Sequence, residues 1–238
     1  MNSEKVLCSV KLFLFSLCFS VSAFAQSDQM DGHFLQLGID YVQPVRPGLD
    51  NYLKAFSDTF HFTNEFKLDK GYGLTIGFMS HKNAAEFSAG GDLLYSSDFK
   101  KADTVSGKIR TTDINLFFGL DIFPVRWFYV GGHFMICNES EKFIAGNSID
   151  DGKLETPDAS FAGIFNGYSV GAKAIAGFNF NVSPDDKDNT YLRLSAFYQL
   201  GTHYNFYNTF EKRLKNYEGN KKTSETLMGV SLAMVFKT

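Results

Sequence analysis

The sequence is poor in proline, cysteine, tryptophan and net charge. Its 238 residues include 5 Pro, 3 Cys and 1 Trp, and the formal net charge is −3. This balance excludes the strongly basic face with which nucleic-acid-binding proteins meet phosphates. After residue 25, no apolar run reaches the roughly 18 residues of a transmembrane helix. The chain is instead rich in aromatic residues, with 26 Phe and 11 Tyr, although its mean hydropathy is slightly negative at −0.14.

Residues 1–25 have the three parts of a secretory signal peptide. Lys5 and Lys11 give a positive first region, residues 12–24 are apolar, and Ala23-Phe24-Ala25 is a small-residue cleavage site. We expect cleavage between Ala25 and Gln26, which leaves residues 26–238 as one domain; a retained N-terminal anchor is the alternative. Cys137 is then the single remaining cysteine, so an intramolecular disulfide is excluded.

The rest of the chain alternates between apolar and polar or small residues with a period of two, which is typical of strands with one apolar face. In the first such segment, Leu35, Leu37 and Ile39 alternate with Gln36, Gly38 and Asp40. The eight predicted strands are residues 34–42, 71–79, 86–96, 109–122, 127–136, 168–181, 190–200 and 226–236.

Short and long connections alternate between these strands. Turns lie near residues 81–83, 124–126 and 184–188, whereas the longer connections are 43–70, 97–108, 137–167 and 201–225. An even number of strands with this loop pattern predicts an all-β fold, an eight-stranded antiparallel up-and-down transmembrane β-barrel. In the first long connection, Leu49, Tyr52, Leu53, Phe56 and Phe60 recur at helical spacing. A helix on the barrel mouth and an extension of the strands both remain open there.

The alternation alone does not say which face points outward. A soluble lipocalin-type barrel alternates too, with its apolar face around an internal ligand. Here the minor face is largely Gly, Ser, Thr and Asn, which suits a narrow interior, and aromatic residues lie near strand ends, as at a membrane boundary. The apolar face is therefore expected to meet lipid. The boundary aromatics are Tyr41, Tyr72, Phe78, Phe87, Tyr95, Phe123, Trp127, Phe128, Phe180, Tyr198 and Phe236.

This architecture, the signal peptide and the last strand, Met228–Phe236, resemble the small OmpA/OmpX-like outer-membrane β-barrel proteins of the Bacteroidetes type. The resemblance covers residues 33–238. It implies a place in the outer membrane of a Gram-negative bacterium, contact with membrane lipid and lipopolysaccharide, and a monomeric state. It also implies that the barrel-assembly machinery reads the alternating last strand, which ends at Phe236. Lys237 and Thr238 depart from that pattern, because they follow the phenylalanine.

An eight-stranded barrel is just wide enough for side chains to fill its interior. Because buried charges must be paired, the inward polar residues predict a network of ion pairs and hydrogen bonds that plugs the lumen. A narrow ion or proton path is the alternative. The predicted network comprises Asp40, Glu86, Asp92, Asp113, Asp121, His133, Lys173, Arg193 and Gln199.

No motif for catalysis, a cofactor or a metal is found in the sequence. His133 is followed by Phe134-Met135-Ile136-Cys137 and not by the His-x-Ser-Asn pattern of outer-membrane lipid A deacylases. Cys137 is expected to start the third outer loop. We therefore expect a non-enzymatic role in envelope integrity, adhesion or surface recognition through the outer loops. Basic residues at 212–215 and 221–222 are candidates for contact with lipopolysaccharide phosphates. A lipid-modifying enzyme and a soluble periplasmic ligand-binding barrel are the alternatives.

Overall fold

A computed structural model describes residues 31–102, 105–146, 159–183, 190–204 and 222–238. The signal peptide and the predicted cleavage site at Ala25 and Gln26 lie outside the described residues. The turn at 184–188 and the basic residues 212–221 lie outside them as well.

The described chain forms eight antiparallel strands in a single sheet. Each strand pairs with its neighbours in sequence, and the last strand pairs with the first, so that the sheet is a closed barrel. This arrangement confirms the predicted fold class. The strands are β1 (Gly32–Val45), β2 (Gly71–Lys82), β3 (Ala85–Lys101), β4 (Ser106–Val125), β5 (Phe128–Gly146), β6 (Ala159–Asn181), β7 (Thr190–Tyr204) and β8 (Lys222–Lys237).

Seven of the eight strands run past the predicted boundaries at the outer end of the barrel, the end opposite the chain termini; β2 alone starts where it was predicted, at Gly71. β5 continues to Gly146 and β6 starts at Ala159, so most of the predicted loop 137–167 is strand. The apolar pattern changes sides in this region: Ile109 and Phe143 point inward and are fully buried, whereas Arg110 and Lys142 alternate with them on the outside. Because the outer face is polar here, the strands continue without the outward apolar signal that marks the membrane part.

One helix, α1 (Pro47–Thr59), fills the first long connection. Proline at its first position suits a helix start, where the missing N–H has no partner within the helix. Its apolar side enters the mouth cluster, which packs the helix and the segment after it against inward residues of β4 and β5. Of the two alternatives for this region, the helix is the one that forms; strand extension is limited to three residues of β1, up to Val45. The mouth cluster is Leu49, Tyr52, Leu53, Ala55, Phe56, Phe62, Phe66, Leu68, Ile109, Phe143 and Ala145.

Within the described ranges, no helix has both the length and the apolar character needed to cross a bilayer.

The outside of the barrel carries a wide apolar surface. Leu74 is 61% exposed, Leu116 59% and Phe78 66%, and each lies in a row of outward apolar residues on its strand. A soluble barrel would turn these side chains inward, away from water. Here the apolar face points outward, so the surface meets hydrocarbon, as the sequence predicts.

Most of the predicted boundary aromatics lie on this outer surface. Tyr41, Tyr72 and Tyr95 are cross-strand neighbours near the outer end, and they form a row over β1, β2 and β3. Trp127 lies at the opposite end, stacked on Phe178 with a centroid distance of 5.8 Å. The prediction is wrong for Phe123, which is 3% exposed and lies inside the barrel. Phe123 is two residues from Asp121 on β4, so both side chains point inward. The two-residue period, and not the nearness to a strand end, determines which side Phe123 faces.

A charge in the middle of the apolar surface tests this orientation. We expect Leu116→Arg to lower the free energy of unfolding in phospholipid vesicles by about 2–4 kcal/mol, because arginine must leave water near the bilayer midplane. Gln43→Arg, on the outer face two residues beyond Tyr41 and opposite Met228, is the matched control and should cost about 0–1 kcal/mol. Denaturant unfolding gives both values. Equal costs at the two positions would contradict a lipid-facing surface.

Candidate functional site

All nine residues of the predicted lumen network lie inside the barrel. Their exposed fractions range from 1% for Glu86 and Asp121 to 7% for Lys173 and Gln199. Each occupies an inward position of its strand, so the two-residue period places it in the interior. Within the part of the chain that the structure describes, their contacts fall into several groups. Neighbouring groups meet in the sheet, because Glu86 is the cross-strand partner of Asp121 and His133 is that of Lys173. They are Asp40, Glu86, Asp92, Asp113, Asp121, His133, Lys173, Arg193 and Gln199.

The lowest group, near the chain termini, is an ion pair between Arg193 of β7 and Glu86 of β3. The two terminal guanidinium nitrogens donate to the two carboxylate oxygens at 2.8 and 3.1 Å, and Nε donates to Asn179 at 2.9 Å. His81 approaches the same carboxylate, with 3.6 Å between Nδ1 and Oε2. A two-pronged contact of this kind is the strongest geometry for an arginine and a carboxylate.

An apolar collar surrounds this ion pair. The collar was not predicted from the sequence. The guanidinium of Arg193 lies over the ring of Tyr129, with 4.6 Å between its carbon and the ring centroid. Aromatic residues at inward positions of the strands could have predicted this collar. The more numerous apolar residues of the outer face made that pattern hard to recognise. The collar consists of Phe34, Met79, Phe123, Tyr129, Tyr191 and Val235.

A second group joins His133 of β5 to Asp121 of β4 and Ser88 of β3. The Nε2 atom of His133 lies 3.0 Å from Asp121 Oδ1 and 3.1 Å from Ser88 Oγ. The ring of Phe117 stacks on the imidazole at 5.4 Å between centroids. A catalytic Ser-His-Asp arrangement uses the two ring nitrogens separately, one for the serine and one for the acid. Here one nitrogen contacts both, so the imidazole is not placed to relay a proton between them.

The third group is a chain of contacts across the interior from β1 to β6. The hydroxyl of Thr75 lies within hydrogen-bond distance of Asp40 and, at 2.9 Å, of Asp92. Lys173 Nζ donates to the other oxygen of Asp92 at 3.0 Å and lies 4.3 Å from the centroid of the Phe197 ring. Thr75 was not among the predicted site residues, although its inward position was evident.

The uppermost group links the start of α1 to the barrel wall. Arg46, directly before the helix, contacts the Asp113 carboxylate and lies 2.8 Å from Glu139 Oε1. Arg46 and Glu139 lie in segments that were predicted as loops, so neither was among the predicted site residues. Strand extension turns Glu139 inward, and the helix turns Arg46 toward it. This contact and the mouth cluster hold α1 in place.

Cys137 does not begin an outer loop; it lies within β5 on its inward side, 4% exposed, where Gln199 Nε2 donates to its sulfur at 3.6 Å. That correction follows from the extension of β5 to Gly146.

Phe236 ends the outward row of β8, in register with Leu35 and Thr190. No cluster of three or more His, Cys, Asp or Glu side chains suited to a metal ion is found among the described residues.

One cavity among the described residues lies in the middle of the barrel, and it is small. The cavity that Asp40, Asp121, His133, Lys173 and Arg193 help to line has a volume of about 20 Å³. A single water requires about 10–15 Å³ by the same measure. This cavity has room for about one water.

The closed sheet, its outward apolar surface and its charged interior define an eight-stranded transmembrane β-barrel. No protein-family model matches the chain, and no curated protein sequence is similar to it.

Several solved structures are similar in fold. Neisserial surface protein A is 12% identical, with 87% of this chain and 98% of that chain covered and a TM-score of 0.42. The attachment invasion locus protein Ail of Yersinia pestis is 14% identical, with coverage of 86% and 99% and a TM-score of 0.42. The outer membrane protein OprG of Pseudomonas aeruginosa is 9% identical, with coverage of 87% and 96% and a TM-score of 0.38. At these values the likeness carries no information on residues or activity.

Neighbouring glycines give a test of the His133 group. A Cβ atom on Gly131, which faces inward, would overlap the Asp121 carboxylate, whereas a Cβ on Gly132 meets no atom within 4 Å. We expect Gly131→Ala to lower the free energy of unfolding by about 1–3 kcal/mol, because Asp121 must move away from His133. Gly132→Ala is the matched control and should leave stability nearly unchanged. Equal effects in denaturant unfolding would contradict the described packing.

Proposed function

We propose that this chain is an OmpA/OmpX-like outer-membrane protein of a Gram-negative bacterium, and that its lumen does not conduct ions. Its role would be structural or recognitional: envelope integrity, adhesion or surface recognition through the outer end. The observation that carries the proposal is the lipid-facing exterior together with the packed groups inside the described part of the barrel, from the Arg193–Glu86 ion pair to the mouth cluster. An outer-membrane location fits this exterior, because strand-crossing membrane proteins of bacteria have this form.

The filled interior supports a role without transport. The lower ion pair lies within its apolar collar, the middle of the barrel leaves a cavity of about 20 Å³, and α1 covers the outer mouth. A diffusion pore needs a water-filled path, which appears in barrels with many more strands. The charged groups are therefore better explained as the packing of a narrow barrel than as a conduit.

The outer end supports a role in recognition. α1 is anchored by the mouth cluster, and its other side presents polar side chains to the exterior, among them Asn51, Lys54 and Asp58. A helix fixed in this way gives a surface partner a preformed site, and binding then costs little conformational entropy. No chemical motif on this surface identifies the partner.

A pair of cations lies where lipopolysaccharide headgroups would be. Arg110 of β4 and Lys142 of β5 are cross-strand neighbours on the outer face. Arg110 is also in register with Ser97, two residues beyond Tyr95, so it lies about 7 Å farther along the strand direction than the tyrosine row. Cations at that level suit the phosphates of an anionic lipid. This position supports the proposed contact with lipopolysaccharide.

Assembly and stoichiometry belong to the same proposal. The barrel-assembly machinery would insert the chain through the alternating strand that ends at Phe236. A monomer fits the closed sheet, because a closed sheet offers no free strand edge to a second copy.

We also propose that the protein is not an enzyme. The arrangement of His133, with Ser88 and Asp121 on one ring nitrogen, supports this view, since an activated serine needs a base that is itself oriented by a third group. Mass spectrometry of lipid A from cells with and without the gene is the test. Identical lipid A is expected, and a gene-dependent change of its acyl chains would overturn the proposal.

Conductance in planar bilayers tests the plugged lumen. We expect no stable open channels from the refolded protein, with a general porin in the same bilayers as the positive control. A double variant, Glu86→Ala with Arg193→Ala, removes the lower ion pair and should leak more than the wild type if side chains are what close the barrel. Stable, unitary openings of the wild-type protein would contradict the proposal and would favour the narrow ion path.

A further inference from the structure

Asp40 differs from the other acids of the predicted network in its contacts. Glu86, Asp92, Asp113 and Asp121 each contact a basic side chain, respectively Arg193, Lys173, Arg46 and His133. The hydrogen bonds of the Asp40 carboxyl are instead with two hydroxyls, those of Thr75 on β2 and Ser231 on β8. Asp40 is 5% exposed, so bulk water does not take the place of a direct ion pair, and the charge of Lys173 acts on it without one.

The hydroxyl of Thr75 lies between two carboxyl groups. It is within hydrogen-bond distance of Asp40 Oδ2 and lies 2.9 Å from Asp92 Oδ1. A threonine hydroxyl has one hydrogen and can donate to one of these oxygens only. If both carboxyls were ionised, the lone pairs of the hydroxyl would face the second carboxylate. A proton on one carboxyl removes this conflict, because the hydroxyl then accepts from one acid and donates to the other.

Lys173 decides which acid carries the proton. Its ammonium donates to Asp92 Oδ2 at 3.0 Å and so stabilises the ionised form of Asp92. An ionised Asp40 would be a buried carboxylate whose hydrogen bonds come from hydroxyls alone, a state that costs several kcal/mol in a protein interior. The remaining charged and titratable groups around the cavity are Asp121, His133, Arg193 and Tyr129. The first two pair with each other, and Arg193 pairs with Glu86.

We propose that Asp40 is a proton-binding site that stays occupied at neutral pH. Its carboxyl O–H donates to Thr75, the Thr75 hydroxyl donates to Asp92, and Lys173 donates to Asp92 from the other side. Ser231 donates to Asp40. The bound proton thereby completes a chain of hydrogen bonds across the interior from β1 to β6. The cavity beside it has a volume of about 20 Å³, which is room for about one water.

Infrared spectroscopy of the refolded protein in detergent detects the site directly, because a protonated carboxyl has a carbonyl stretch separate from that of a carboxylate. At neutral pH, the wild type should show this band and Asp40→Asn should lack it. Asp50→Asn, which removes an acid from the exposed side of α1, is the matched control and should keep it. Absence of the band from the wild type overturns the proposal whether or not any variant folds. Persistence of the band in Asp40→Asn overturns it as well.

Unfolding as a function of pH gives the second readout. A native state that keeps a proton the unfolded chain has released becomes less stable as the pH rises, because the unfolded state then binds fewer protons. The wild-type melting temperature should fall as the pH rises above the range in which carboxyls of the unfolded chain ionise. Asp40→Asn, an amide of the same shape as the protonated acid, should keep the neutral-pH melting temperature and show a smaller fall.

Asp92→Asn distinguishes two explanations for Asp40: that it holds a proton, or that the position only requires a polar side chain. It leaves the Lys173 ammonium without its carboxylate, so its melting temperature at neutral pH should be lower than that of Asp40→Asn. Equal destabilisation by the two substitutions would overturn the assignment. An occupied cation site would overturn it too: in that case, sodium chloride at constant pH would stabilise the wild type more than tetramethylammonium chloride does, and Asp40→Asn would abolish the difference. We expect both salts to act alike.

Discussion

The pairing of β8 with β1 is the contact on which the rest of the structure depends. It runs from Phe34 opposite Lys237 to Val45 opposite Thr226 and leaves the sheet without a free edge. A closed sheet satisfies the backbone N–H and C=O groups within itself, which is the condition for a β-structure in hydrocarbon. Closure also gives every strand residue one of two environments, lipid or interior, and the two-residue period then decides which one.

Eight strands leave an interior that side chains must fill, and here they fill it with charge as well as with aromatic rings. Arg193 shows how the two are combined: two nitrogens meet Glu86, a third meets Asn179, and the flat face of the guanidinium lies on Tyr129. Lys173 is held in the same way between Asp92 and Phe197. The aromatic rings exclude water, and the carboxylates supply the hydrogen bonds that water would otherwise supply.

Much of this could be predicted, because the position of a residue along a strand already determines its side. The alternation of Asp40, Lys173 and Arg193 with apolar neighbours was sufficient to place them in the interior. The partners of these residues were not predictable, since a contact such as Glu86 with Arg193 spans 107 positions and depends on the register of every strand between them. The role of Arg46 was not predicted for a different reason. It lies outside the strands, and only the folding of α1 onto the mouth turns it toward Asp113.

The charged interior also bears on how the chain selects its own register. Buried ion pairs add little net stability compared with apolar residues of the same size, because the loss of hydration offsets their attraction. An apolar interior, however, would make the two faces of each strand alike in a membrane, and a slip of one residue would then cost little. With Asp92 or Arg193 on the inward face, such a slip would turn a charge toward lipid, at a cost of several kcal/mol. The polar groups thus contribute mainly to specificity, and even an acid without a cation partner, such as Asp40, marks its face as the inner one.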